Sequence, residues 1–260
     1  MNILAIDTAT EGCSAALCVG STPHASGGRV LSRYQEVPRS HAELILPMID
    51  ALLAEADITL KNLTAIAFGR GPGSFTGVRL ASSVVQGLAY GAGIGVVPVS
   101  TLQAVAYRAF ALTNESDAPK ATHALVCNDA RMDEVYVGAF MRGLDIAGVA
   151  VPVALGAETV QAPDRVVVPQ VAGARMGARD ALRWIGAGRG FKTYPALSSL
   201  RAEQGGPLAS VHETILPRAE DLLALALPEI AAGRVLPATA ALPIYVRDEV
   251  VKTPGSLSRI

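Results

Sequence analysis

The chain has almost no surplus of charge: 22 lysines and arginines stand against 23 aspartates and glutamates, a formal net charge of -1. No global basic field draws it to nucleic acid, so contact with phosphates has to come from a local patch or a partner. Cysteine is scarce too. Cys13, Cys18 and Cys127 are too few and too oddly placed for a disulfide framework or a zinc cluster, and they read as buried thiols in a reducing compartment. The four histidines, His24, His41, His123 and His212, include no pair at H-x-x-x-H spacing. The opening MNILAIDTATEG has no basic segment and meets Asp7 early, unlike a secretory leader. The longest apolar stretch, Val78 to Val99, is interrupted by Arg79, Gln86, several glycines and Pro98, which argues against a membrane span. The expectation is a cytoplasmic protein with no membrane contact.

What is present is enough apolar residue for a sizeable core. With 260 residues, 50% hydrophobic and 17% charged, the chain can form one large domain or two smaller ones. NILAIDTAT and CSAALCVGS read as a β-hairpin, and GGRVLSRYQEV as a third strand. RSHAELILPMIDALLAEADI reads as a helix entered through a capping box of Ser40 and Glu43. LTAIAFG, a helix from about Thr76 to Tyr90 and GVVPVS complete an order βββαβαβ. A helix over STLQAVAYRAFALTNES precedes a second set of strands, THALVCNDA, EVYVGAFMRG, DIAGVAVPVAL, DRVVVPQV and ALRWIGAG. A helix entered through Pro217 and left through Gly233 follows, with Pro228 expected to bend or break it. The divisions this implies are 1–104, 105–215, a returning helix at 216–234 and an arm at 235–260. Two strand-rich halves suggest a duplication.

The segment GRGPGSFTGVR carries the ingredients of an anion site. Gly71 and Gly73 are permissive, Ser74 and Thr76 are candidate caps, a helix N-terminus follows, and Arg79 lies one turn on. Asp7 and Thr8 on the hairpin bend have the groups to hold a hydrated metal and cradle phosphates, but taken alone they read better as an ordinary turn whose side chains satisfy local backbone groups. Yet the lysine of G-x-x-x-x-G-K-[ST] is missing, the glycine spacing does not fit G-x-G-x-x-G, and Ser74 is not in G-x-S-x-G. Residue types alone leave two readings open, an anion cradle or a shaped strand-to-helix entry. The cluster Asp129, Arg131, Asp133 and Glu134 reads as a solvated turn. Ser83, Gly87 and Gly91 recur at four-residue spacing beside Gln86 and Tyr90, a flat strip that another helix can approach. Leu44, Ile45, Met48, Ile49, Leu52 and Leu53 make a stripe wider than one sheet needs, which favours a partner surface on these two helices.

Taken in order, ILAIDTAT, RSHAELILPMI, GRGPGSFTGVR, NDARMDEVYVGAF and PIYVRDE resemble the TsaB (YeaZ) family over nearly the whole chain. Departures are small, such as Val78 and Val246 where leucine is common. The resemblance implies the α/β two-lobed ASKHA fold of actin, sugar kinases and heat-shock chaperones, each lobe a mixed sheet flanked by helices. It also implies a part in making N6-threonylcarbamoyladenosine in tRNAs that read ANN codons. The expected partners are a catalytic paralogue of the TsaD type, pairing through the two helices named above, and a TsaE-type ATPase. A homodimer through the same helices is a further expectation, with tRNA met mainly through the complex. ATP and a metal ion would belong to the partner complex, and no cofactor of the chain's own is expected. The paralogue's two metal histidines align with Thr101 and Val105, which lack imidazole, so the resemblance implies a non-catalytic subunit. Two alternatives remain: an ATP-dependent kinase or hydrolase using Asp7 and the glycine loop, and, with less in its favour, a peptidase.

Overall fold

The computed structural model describes residues 1–20, 28–114, 120–144, 150–171 and 183–247. The chain runs β1 (Ile3–Asp7), β2 (Gly12–Val19), β3 (Arg29–Glu36), α1 (His41–Glu55), β4 (Ala65–Gly69), α2 (Phe75–Ala92) and β5 (Gly95–Val99). It then passes through α3 (Thr101–Asn114) to β6 (His123–Arg131), β7 (Glu134–Leu144), β8 (Ala150–Ala154) and β9 (Thr159–Gln161). β10 (Trp184–Ala187), α4 (Gly190–Thr193), β11 (Leu208–His212) and α5 (Ala219–Ala231) complete it.

Period-two alternation divides β1 between two cores. Leu4 and Ile6 face one side, against Ile45, Ile49 and Leu52 of α1 and Val85 and Ala89 of α2. Ile3 and Ala5 face the other, against Leu222, Leu223 and Ala226 of α5. The first sheet has the order β3-β2-β1-β4-β5, antiparallel through the hairpin strands and parallel from β1 to β4 and β5. The second, β11-β10-β6-β7-β8, repeats it: an antiparallel meander β6-β7-β8, then β10 and β11 parallel beside β6. The shared order of connections agrees with the duplication read from the strand-rich halves. α3 packs Leu102, Val105 and Ala109 on the second sheet and also touches α5, so these two helices lie between the sheets. Arg108 Nε of α3 reaches Asp221 of α5 at 2.7 Å. The division expected after residue 104 falls inside α3.

Several local expectations are corrected. Ser40 takes a left-handed φ of 85° and makes no side-chain cap, so the capping box with Glu43 does not form. Its carbonyl instead accepts the Glu43 and Leu44 N–H groups, because a left-handed residue turns the chain sharply from β3 into α1 and swings the hydroxyl away. DRVVVPQV is not a strand. Pro163–Arg165 forms a 3-10 turn and Val166 plugs the core under α4, while Pro163 and Pro169 supply no N–H to a ladder. α5 is not broken at Pro228 but continues to Ala231, because the proline lies in its last turn, where the Ala232 N–H still reaches the Pro228 carbonyl at 3.0 Å. β9 and β11, both short, were not expected.

Candidate partner-binding face and interlobe cleft

The α1 residues proposed for a pairing surface lie deeper than their pattern implied. Ile45, Ile49, Leu52 and Leu53 are buried in the first lobe, and Leu44 and Met48 are half-buried against the same core. The reason is the breadth of the sheet beneath: Leu4, Ile6, Leu17, Ile66 and Phe68 need the full stripe of α1 as well as α2 to exclude water. What α1 offers outward is Leu46, Pro47 and Ala51. Leu46 was missed, although a leucine on the otherwise polar side of the helix is a legible signal. On α2, Ser83, Gly87 and Tyr90 are exposed, Tyr90 by 78%, with Gln86 half-buried. A β-carbon added at Gly87 or Gly91 would meet nothing within 4 Å, so a flat strip stands open to solvent.

The glycine loop is filled by the chain itself. The Ser74 N–H donates to the Ala9 carbonyl at 2.7 Å, and the Thr8 hydroxyl donates to the Gly77 carbonyl at 2.7 Å. The Ser74 hydroxyl accepts a long bond of 3.4 Å from the Gly77 N–H, capping α2 as one of the two readings required. Gly71, at φ 97°, turns the strand end, while Gly73 and Gly77 let the β1–β2 bend lie directly on the helix start. Thr76 is exposed at the cleft rim, and Arg79 points to the C-terminal segment rather than into the loop.

Across from this loop lies the β6–β7 turn, and the two hairpin bends flank a cleft of about 1150 Å³. The turn is exposed, as a solvated turn should be, and its Arg131 reaches Glu11 across the cleft at 2.8 Å, while Arg189, just before α4, reaches Glu36 at 2.5 Å, so two ion pairs span the lobes. Asn128 lines the cleft almost fully buried, with neither amide atom paired to protein. Asp7, by contrast, is sealed. One carboxylate oxygen accepts the Ala9 N–H at 3.1 Å, the other has no partner, and burial pushes its pKa up to about 7. Sealed in this way and accepting a local backbone N–H, Asp7 sits as the ordinary-turn reading of the bend expects. Thr101 and Val105 are both buried in α3. Among the described residues no three His, Cys, Asp or Glu side chains gather as a metal would require, and no helix is long and apolar enough to cross a membrane.

The C-terminal segment runs over the lobe junction. The Ile244 N–H donates to the Arg70 carbonyl at 2.8 Å in the first lobe, and Arg247 reaches Glu134 and the Ala130 carbonyl in the second. The arm expected from residue 235 is thus tied to both lobes over its described part, and residues 248–260 lie outside the described residues.

Two lobes of repeated sheet order, with helices between them and a cleft where their hairpin bends meet, define a two-lobed α/β protein of the ASKHA class. Residues 33–248 match the family model described as TsaD: tRNA N6-adenosine threonylcarbamoyltransferase. The chain is 37% identical over 257 residues to the tRNA threonylcarbamoyladenosine biosynthesis protein TsaB of Escherichia coli, covering 98% of this chain and 99% of that one. The Haemophilus influenzae protein of the same name is 34% identical, with 98% of each covered. YeaZ from Pseudomonas aeruginosa superposes with a TM-score of 0.75 at 39% identity, covering 94% of this chain and all of that one. The chain belongs to the TsaB (YeaZ) family.

Proposed function

We propose that this protein is a non-catalytic subunit in tRNA threonylcarbamoyladenosine biosynthesis, binding and supporting a TsaD-type transferase paralogue that modifies ANN-decoding tRNAs. The observation that carries the reading is the open α1–α2 strip of Leu46, Pro47, Ala51, Ser83, Gly87, Tyr90 and Gly91, on a chain similar end to end to relatives named for this pathway. Small residues let a facing helix approach closely, and Tyr90 supplies a large amphipathic contact. The same strip would serve a homodimer in the paralogue's absence.

Thr101 and Val105, where the resemblance places the paralogue's two histidines, offer a hydroxyl and an isopropyl group sealed in α3. Neither can present an imidazole nitrogen, which supports assigning metal and ATP to the partner complex. A TsaE-type ATPase would join that complex, and tRNA would be met mainly through it. The kinase or hydrolase reading needs the Asp7 carboxylate to reach a bound metal, and that group is fully buried. Reconstitution tests the proposal: tRNA modification by the purified paralogue and the other pathway proteins should depend on this chain. Equal modification without it overturns the reading.

A further inference from the structure

α1 and α2 together carry three carboxylates, Glu43, Asp50 and Glu55, and one permanent cation, Arg79. Glu55 is already engaged by Arg29 and Arg33. Arg79 follows the exposed stripe of α2, four residues before Ser83 and eight before Gly87. It is held in place. Its guanidinium carbon lies 3.4 Å from the centre of the Phe75 ring and 5.3 Å from that of Tyr245, and its Nε donates to the Tyr245 hydroxyl at 2.6 Å. The two rings are 6.0 Å apart, and both side chains are about half exposed. Among the described residues nothing accepts from the two terminal Nη groups.

A free surface arginine loses rotamer freedom when it is immobilised by a partner. Here intrachain contacts to Phe75 and to the C-terminal segment restrict it beforehand, leaving one edge of the planar fork uncommitted. Because Arg79 lies one turn before Ser83 on the same face, a helix docked along the Ser83–Gly87 strip and continued by one turn would cover Arg79 and strip its water. An anionic group offsets that loss best, because an unpaired buried guanidinium is costly and its hydrogen bonds to a carboxylate are about twice as strong as neutral ones. The uncommitted fork matches the two oxygens of a carboxylate.

We propose that Arg79 is a preorganised anchor of the pairing face, taking a carboxylate from the facing helix of the transferase paralogue in a two-pronged ion pair, with Phe75 and Tyr245 as its walls. This rests on the reading of α1–α2 as the pairing surface, which the test separates from the anchor itself.

The test is calorimetric titration of the purified full-length chain with the purified paralogue at low and high salt, using wild type, Arg79→Gln, Arg79→Lys and Gly87→Arg. Arg79→Gln should weaken pairing about tenfold or more and flatten its salt dependence, Arg79→Lys should restore only part, and thermal midpoints should match wild type. Pairing by Arg79→Gln within about twofold of wild type overturns the anchor. If Gly87→Arg then still blocks pairing, the face stands and only the anchor falls; if both variants pair normally, the face falls as well. An effect of Arg79→Gln confined to tRNA binding by the assembled pair also overturns the proposal, since it puts a phosphate where a carboxylate was assigned.

Discussion

Gly77 lies against the carbonyl of Thr8 so closely that a β-carbon built on it would sit 2.0 Å from that oxygen. The Thr8 hydroxyl in turn donates to the Gly77 carbonyl at 2.7 Å, so the first hairpin bend and the start of α2 are joined by sterics and by hydrogen bonding. An alanine in a helix interior is ordinarily favoured over glycine by about 1 kcal/mol. Here the clash is with backbone, which cannot rotate away. Gly77→Ala should therefore destabilise the protein by roughly 2 kcal/mol or more. Thermal unfolding measures it, and a raised midpoint would show that the contact is slack.

Burial separates two kinds of substitution on the helix pair. Ile49 is 1% exposed, so Ile49→Asp should cost roughly 3 kcal/mol or more and compromise the fold itself. Tyr90→Ala, at a position 78% exposed, should leave the unfolding midpoint within about a degree and weaken co-elution with the paralogue. Folded Ile49→Asp protein that merely fails to pair would contradict the burial argument.

Asp7 makes stability depend on pH. Burial raises its folded pKa to about 7, against an ordinary value of 3.8, with the Ala9 N–H opposing and Asp221 adding to the shift. Between those values the folded chain holds a proton that the unfolded chain has released. The contribution is full below about pH 4, declines as pH rises and is gone above about pH 7. Asp7→Asn removes this titration, so the variant should gain on wild type from pH 5 to pH 8 by an amount on the order of 2 kcal/mol. Denaturant unfolding at the two pH values checks this, and an unchanged difference would mean that Asp7 is ionised in the fold.

The three cysteines should be silent in the native state. Burial pushes Cys13 up to about 11 and raises Cys18 and Cys127 as well, with the Asp7 charge adding to the shift at Cys13, so little thiolate forms at neutral pH. A thiol reagent should label none of them before unfolding and all three after it. Rapid native labelling of any one would show that its strand opens.

Much of the first lobe was legible. The apolar runs in NILAID and CSAALCV, the four- and three-residue spacing of Ile45, Ile49 and Leu52, and the glycines before Phe75 each state a local rule that the tertiary contacts left standing. The second lobe was less so, because DRVVVPQV has strand composition but is entered through a 3-10 turn and closed by Pro169, and β11 is a short edge strand in which only Leu208 is buried. The exposed face of α1 and α2 was half legible: spacing identified the open strip at Ser83, Gly87 and Tyr90, but not which side of α1 was already occupied.

By itself the sequence determined two strand-rich α/β halves, because hydrophobic period and turn chemistry are local properties, and its ordered motifs carried a resemblance to the TsaB family that implied the two-lobed fold. Only the tertiary structure decided what those motifs do. Asp7 closes into the core, the glycine loop receives the chain's own Thr8 and Ala9, Leu46 faces outward in place of Ile45, and Tyr245 comes to rest on Arg79, 166 residues away. The physical reason is that burial and close approach depend on which surfaces meet across the fold, and residues distant along the chain carry no local mark of the partner they will find.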